Sequence, residues 1–135
     1  MICLDTNAVI AVLKQEPERL LARFARALPR GDVALSAIVL FELQYGVADG
    51  VRRKENTERL TLFLQAPIEV LPFDAEDAEE AGILRAELRR AGTPIGAYDL
   101  LIAAQARRRG ALLITANAGE FTRVAGLKTE DWTAA

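Results

Sequence analysis

Apolar residues fall along this chain in two textures: short solid runs of three or four, and longer stretches in which they return every three or four positions. The solid runs Met1–Leu4, Val33–Leu35, Ile68–Leu71 and Leu112–Ile114 predict buried strands. Helical periodicity fills the intervals. Ala8–Lys14 reads as a short helix, and Pro17 opens a second at its permitted first turn. That second helix gathers Leu20, Leu21, Phe24, Ala25 and Leu28 on one face and sets Arg19, Arg23, Arg26 and Arg30 mostly elsewhere. Pro29, Arg30, Gly31 and Asp32 break the pattern before the second strand. Ser36 is a natural N-cap for a helix over Ala37–Tyr45, which Gly46 is expected to end, with Ala48–Gly50 as a loop. Val51–Gln65 becomes amphipathic through Leu60, Phe63 and Leu64, and Pro67 closes it. Asp74 and Asp77 are spaced as a capping box for a long helix carrying Ala78, Ala81, Leu84, Leu88 and Ala91 on one face. The loop Gly92–Gly96 leads into a last helix, which Gly110 stops. A strand followed by helices, four times over, predicts one α/β domain over residues 1–135 with a central, mostly parallel sheet flanked by helices.

Three acids stand out against this pattern. Asp5 follows the first strand at once, with the turn-formers Thr6 and Asn7 behind it, and the carboxyl ends of strands are where open α/β sheets place ligands. The competing account is a helix cap, with Asp5 or Asn7 satisfying free N–H groups. Glu42 lies within a helix whose Ala37, Ile38, Val39, Leu40, Phe41, Leu43 and Tyr45 are apolar nearly all round, the mark of a buried helix. A carboxylate there is unfavourable unless it is paired, hydrogen-bonded or bound to a metal; the alternative is an acid reaching solvent at the rim or meeting an Arg. It lies roughly 9 Å along the helix from Ser36, still near the edge where the second strand ends. Asp99 occupies the first turn of a helix in which Leu100, Leu101, Ile102, Ala103, Ala104 and Ala106 are again apolar, a position that also suits an ordinary dipole-stabilising acid. Thr115, Ala116 and Asn117 follow the fourth strand. Asp74 follows a strand too, but its neighbours Glu76, Asp77, Glu79 and Glu80 mark it as a first-turn acid with a structural role. In a parallel sheet every strand ends on the same edge, so Asp5, Glu42, Asp99 and Asn117 are all assigned to one rim.

Composition narrows the chemistry. The 135 residues contain no histidine, which excludes Ser–His and Cys–His nucleophilic machinery and every His-based metal site. Two carboxylates about 4 Å apart repel by roughly 4 kcal/mol at an effective dielectric near 20, so a cluster of three calls for a positive centre. All-oxygen donors point to a hard cation, Mg²⁺ or Mn²⁺, and to metal-dependent hydrolysis of a phosphate ester. A net charge of −2 argues against tight bulk-charge binding of nucleic acid, although Arg clusters occur at Arg52, Arg53 and Lys54, at Arg89 and Arg90, and at Arg107, Arg108 and Arg109. These are either solvated helix ends or phosphate contacts. The single Cys3 lies in the first predicted strand and reads as a buried hydrophobe in a reducing cytoplasm. No basic leader precedes the first apolar run, and no stretch approaches a membrane span.

Taken together, LDTN after the first strand, FEL around Glu42, YDLLIAAQA around Asp99 and the closing run LLITANAGEFTRVAGLKTEDW resemble the PIN-domain ribonucleases, specifically the VapC toxins of bacterial toxin–antitoxin pairs. The resemblance runs from end to end. It implies a PIN-like three-layer fold with a twisted central sheet, an endoribonuclease using Mg²⁺ or Mn²⁺, silencing by a VapB antitoxin, a homodimer, and operator DNA bound only through the antitoxin. Asp5, Glu42 and Asp99 match the family's three acidic site residues, both as catalytic groups and as metal ligands. A fourth acid, Asp in many relatives, is Asn117 here; Glu120 or Thr115 is positioned to compensate, with Thr6 and Asn7 as further supporting residues. The ending GEFTRVAGLKTEDW resembles the branch that acts on tRNA anticodon stem-loops, including initiator tRNA.

On that reading some Arg residues contact RNA phosphates beside the acidic pocket, and the helices near Ala8–Leu28 and Arg52–Gln65 supply an apolar groove for an antitoxin peptide. Two rivals remain. A receiver-like phosphoacceptor domain would want adjacent acids after the first strand and a Lys after the last, and neither is seen among the predicted elements. A non-catalytic binding module of the same fold would dispense with the carboxylates.

Overall fold

The computed structural model describes residues 1–134, so the expected domain end at 135 lies one residue outside it. Five strands, β1 (Ile2–Leu4), β2 (Val33–Ser36), β3 (Glu69–Leu71), β4 (Leu112–Ile114) and β5 (Lys128–Glu130), form one sheet in the order β3-β2-β1-β4-β5. Every pairing is parallel, with Cys3 beside Ala34 on one side and Leu113 on the other. The helices are α1 (Thr6–Lys14), α2 (Glu18–Ala27), α3 (Ala37–Asp49), α4 (Arg53–Leu64), α5 (Ala75–Ala91), α6 (Ala97–Arg108) and the single turn α7 (Ala118–Phe121). The sheet order reverses direction between β1 and β4. That reversal opens a crevice beyond their carboxyl ends, the place where such sheets bind ligands.

The four expected strands form, and β5 is an addition. Its sequence Lys-Thr-Glu is polar because it is an edge strand with little apolar surface to bury, so hydrophobicity does not mark it. The core consists of the strand side chains Cys3, Leu4, Leu35, Leu113 and Ile114, closed by Leu20, Leu84, Phe121 and Trp132 from the helices and the C-terminal segment. On α2 the buried face is Leu20, Phe24 and Ala27; Ala25, expected there, is exposed.

Two boundaries and one burial pattern differ from expectation. Helix α1 begins at Thr6, so Thr6 and Asn7 belong to its first turn. Gly46 does not end α3, which runs on to Asp49 because Val47 still packs against the core and rewards another turn. Nor is α3 a buried helix. Val39 and Leu43 are buried, but Phe41 and Tyr45 stand 51% and 62% exposed. Phe41 meets the half-exposed Tyr98 of α6 edge to face, ring centroids 5.4 Å apart.

The capping box at Asp74 and Asp77 forms in full: the Asp74 carboxylate accepts from the Asp77 N–H at 2.9 Å and Asp77 returns the bond at 3.0 Å. Asp77 is fully buried. It accepts from Gln105 at 2.9 Å and from Arg108 at 2.7 Å, while Arg107 pairs with Glu80 and Glu87. This network locks α5 against α6 and commits Arg107 and Arg108 to acids of the protein itself, so these two are withdrawn from the candidate RNA contacts. Among the described residues no helix is long and apolar enough to cross a membrane.

Candidate active site

Asp5 sits where the sheet order reverses. Its N–H donates to the Ile114 carbonyl at 3.1 Å, which ties the end of β1 to the end of β4. Its carboxylate accepts from the Ala8 N–H at 2.8 Å, so the helix-cap account is correct. Capping and a site role are compatible here, because the cap fixes the carboxylate at the crevice. Burial pushes the Asp5 pKa up; hydrogen bonds from Thr115 and Ala8 oppose this, and the charges of Glu42 and Asp131 add to the rise. Thr115 is buried at the end of β4, and its hydroxyl also accepts from the Asn117 N–H at 2.9 Å.

Glu42 is half-buried on α3 and accepts from the Thr6 hydroxyl at 2.7 Å. The bond joins the first turn of α1 to the middle of α3, and so holds the LDTN segment against the second acid. Asn7 is exposed and lines a small cavity with Thr115 and Asp131.

Asp99 and Glu120 lie side by side at Gly96. Asp99, in the first turn of α6, is pushed up to about 7: burial contributes most, followed by its hydrogen bond to Glu120 and the charges of Glu120, Glu42 and Asp5. Glu120 is held below its ordinary value, first by the Gly96 N–H at 2.6 Å and also by Asp99, by Asn117 and by the nearby Arg123 charge. The Asn117 amide donates to its other oxygen at 2.8 Å. Burial and neighbouring acids thus favour the neutral form of Asp99, while the donors around Glu120 favour its charged form. Asn117, at the position that is Asp in many relatives, donates to Glu120, one of the two residues expected to compensate for it, and Glu120 is the fourth carboxyl of the group.

Asp131 was not among the expected residues. It follows β5 directly and accepts from the backbone and hydroxyl of Thr133 at 2.8 and 2.6 Å, and its charge reaches Asp5. The strand-end rule that identifies Asp5 identifies Asp131 as well, once β5 is recognised.

These acids come from five separated segments, yet their charges act on one another across a single crevice. Among the described residues none of Asp5, Glu42 and Asp99 forms an ion pair with a cationic side chain. Nor is any set of three acids or Cys closed tightly enough to ligate an ion as it stands. An all-oxygen cluster of this kind, with no cationic side chain among the described residues paired to Asp5, Glu42 or Asp99, suits a hard divalent cation.

The parallel sheet thus gathers acids, and no histidine, at its switch point, the place of a carboxylate-based site in an α/β fold. The PIN domain family profile matches residues 2–127. The chain is 41% identical over 129 residues to the tRNA(fMet)-specific endonuclease VapC of Shigella flexneri, an alignment covering 96% of each protein. It superposes with a TM-score of 0.91 on the crystal structure of VapBC2 from Rickettsia felis bound to a DNA fragment from their promoter, at 36% identity, covering 98% of this chain and 99% of that one. DNA-bound VapBC from Salmonella typhimurium gives a TM-score of 0.90 at 38% identity, covering 97% of each. The chain belongs to the PIN-domain family, within its VapC ribonucleases, the toxins of toxin–antitoxin pairs.

Proposed function

We propose that this VapC-type ribonuclease acts as one PIN domain over its whole length and hydrolyses RNA phosphodiester bonds with Mg²⁺ or Mn²⁺ at the β1/β4 crevice. Asp5, Glu42 and Asp99 are the catalytic carboxylates and would hold the cation; Glu120 completes the charge. The observation that carries this reading is that acids from separate segments meet where the sheet order reverses: Asp5 is tied to the end of β4, Thr6 beside it donates to Glu42 at 2.7 Å, and the Gly96 N–H at the start of α6 brings Glu120 to Asp99. The bound cation would neutralise the cluster, acidify an attacking water and offset charge on the phosphate.

The remaining site residues position these acids. Thr6 aims Glu42, Thr115 and the Ala8 N–H aim Asp5, and Asn117 with the Gly96 N–H holds Glu120 against Asp99. Asp5, Glu42 and Asp99, with Glu120 beside Asp99, would hold the cation, which would supply the positive charge these carboxylates lack.

The substrate that the Shigella flexneri relative's name indicates, initiator tRNA, is proposed for this chain too, cut in its anticodon stem-loop. The proposed partners are a second copy of the chain and a VapB-type antitoxin, through which operator DNA is bound in the cytoplasm. Helices α1, α2 and α4 carry the partly buried Ile10, Leu13, Leu21 and Leu64, with Leu62 exposed, as the apolar groove for an antitoxin peptide. The test is cleavage of an initiator-tRNA anticodon stem-loop in Mg²⁺. Asp5→Asn and Asp99→Asn are expected to fold and lose cleavage; cleavage unchanged in both rejects the assignment.

A further inference from the structure

A cavity lies beside the acids. It measures about 420 Å³ and sits between the C-terminal half of α5 and the start of α6. Its floor is Leu88, Ile95, Leu100 and Leu101, and its rim carries Arg85 and Arg89. The two arginines are exposed, one helical turn apart, and form no ion pair among the described residues, unlike Arg107 and Arg108. A second cavity, about 330 Å³, opens along α5 from the same two side chains, so they stand at the junction of two depressions.

Ile95 and Ala97 line the first cavity, and Gly96 between them donates its N–H to Glu120. A Cβ placed on Gly96 would stand 3.5 Å from the Glu120 carboxylate and 3.7 Å from that of Asp99. Pro94, also in the lining, accepts from Arg123 at 2.8 Å, and the Arg123 charge reaches Glu120. The cavity and the acids are thus two sides of one loop.

We infer that this cavity is a nucleotide subsite for the RNA strand next to the bond that is cut: the base rests on Leu88, Ile95 and Leu101, and the adjoining phosphate is held by Arg85 and Arg89. The inference rests on the ribonuclease reading above. Its physical logic is charge. A crevice containing five acids repels a polyanion, so the strand needs fixed cations close by that the protein has not already neutralised. Arginine's planar fork suits phosphate, and an apolar floor of this volume suits the face of a base.

The test uses the full-length protein and a fluorescein-labelled initiator-tRNA anticodon stem-loop. Kd is measured by anisotropy in Ca²⁺ buffer over a range of KCl, and cleavage of the same RNA is followed separately in Mg²⁺. Arg85→Ala/Arg89→Ala is expected to weaken binding about tenfold and to flatten the dependence of log Kd on log salt by about 0.7 for each phosphate no longer neutralised. Arg85→Lys/Arg89→Lys should keep most of the slope, and Leu101→Trp, which fills the floor, should weaken binding with the slope unchanged. Unchanged Kd and slope in the double Ala variant overturn the subsite. A halved solution mass for that variant also overturns it, assigning the surface to a second copy of the chain. Wild-type protein that binds but does not cleave would count against the ribonuclease reading alone; cleavage with unchanged Kd in the double variant would count against the subsite alone.

Discussion

Gly96 and Glu120 are joined by a hydrogen bond of 2.6 Å from the Gly96 N–H, and with the Asn117 amide donating to the other Glu120 oxygen at 2.8 Å it sets that carboxylate beside Asp99. The two donors favour charge on Glu120, and burial favours the neutral form of Asp99.

The pair predicts how the site depends on metal. Glu120→Gln keeps the shape and removes one charge, so the Asp99 pKa falls and the Mg²⁺ concentration for half-maximal cleavage rises about tenfold. Asn117→Asp adds a charge beside Glu120 and should shift that concentration the other way. Metal titrations of cleavage rate decide both.

Stability without metal should depend on pH in a defined direction. Folding raises the Asp99 pKa from 3.8 to about 7 and raises that of Asp5 as well, so the folded state binds protons the unfolded state has released. Their contribution is fully present below pH 3.8 and is lost as the pH climbs toward 7. Against the wild type, Asp99→Asn in EDTA should therefore gain Tm at about pH 8 and gain little at about pH 4. Added Mg²⁺ should raise the wild-type Tm more at about pH 8 than at about pH 5, as calorimetry at the two pH values will show.

Thr6→Val removes the 2.7 Å hydrogen bond to Glu42 while keeping the side chain's shape. The expected result is a fall in kcat of roughly tenfold, the equivalent of about 1.4 kcal/mol, with the Tm little changed. Steady-state kinetics on purified protein measure it.

Acids at strand ends are not equivalent. Asp74 follows β3, as Asp5 follows β1, yet it caps α5 and faces Arg108. Asp74→Ala should cost about 1 kcal/mol in urea denaturation and leave cleavage by the folded protein unchanged.

Much of this arrangement is legible before any coordinates. Asp5, Glu42 and Asp99 break otherwise apolar patterns, and the parallel sheet brings their segments to one rim. What stayed hidden has physical causes. β5 is too polar to be recognised, and Asp131 goes unnoticed with it. The continuation of α3 past Gly46 depends on the packing of Val47, which glycine's low propensity does not reveal. Apolar composition all round α3 also fails to tell which side the rest of the chain covers, and Phe41 and Tyr45 lie on the uncovered side. The commitment of Arg107 and Arg108 to α5 acids is a tertiary fact, invisible in a run of three arginines.

The most direct measurement is an anomalous difference map from crystals grown with Mn²⁺. A single strong peak between β1 and the start of α6, with Asp5 and Asp99 oxygens about 2.1 Å from it and Glu42 and Glu120 turned toward it, is the predicted result. A crevice without a peak, while manganese occupies the exposed acids Glu76 and Glu79 on α5, would contradict it.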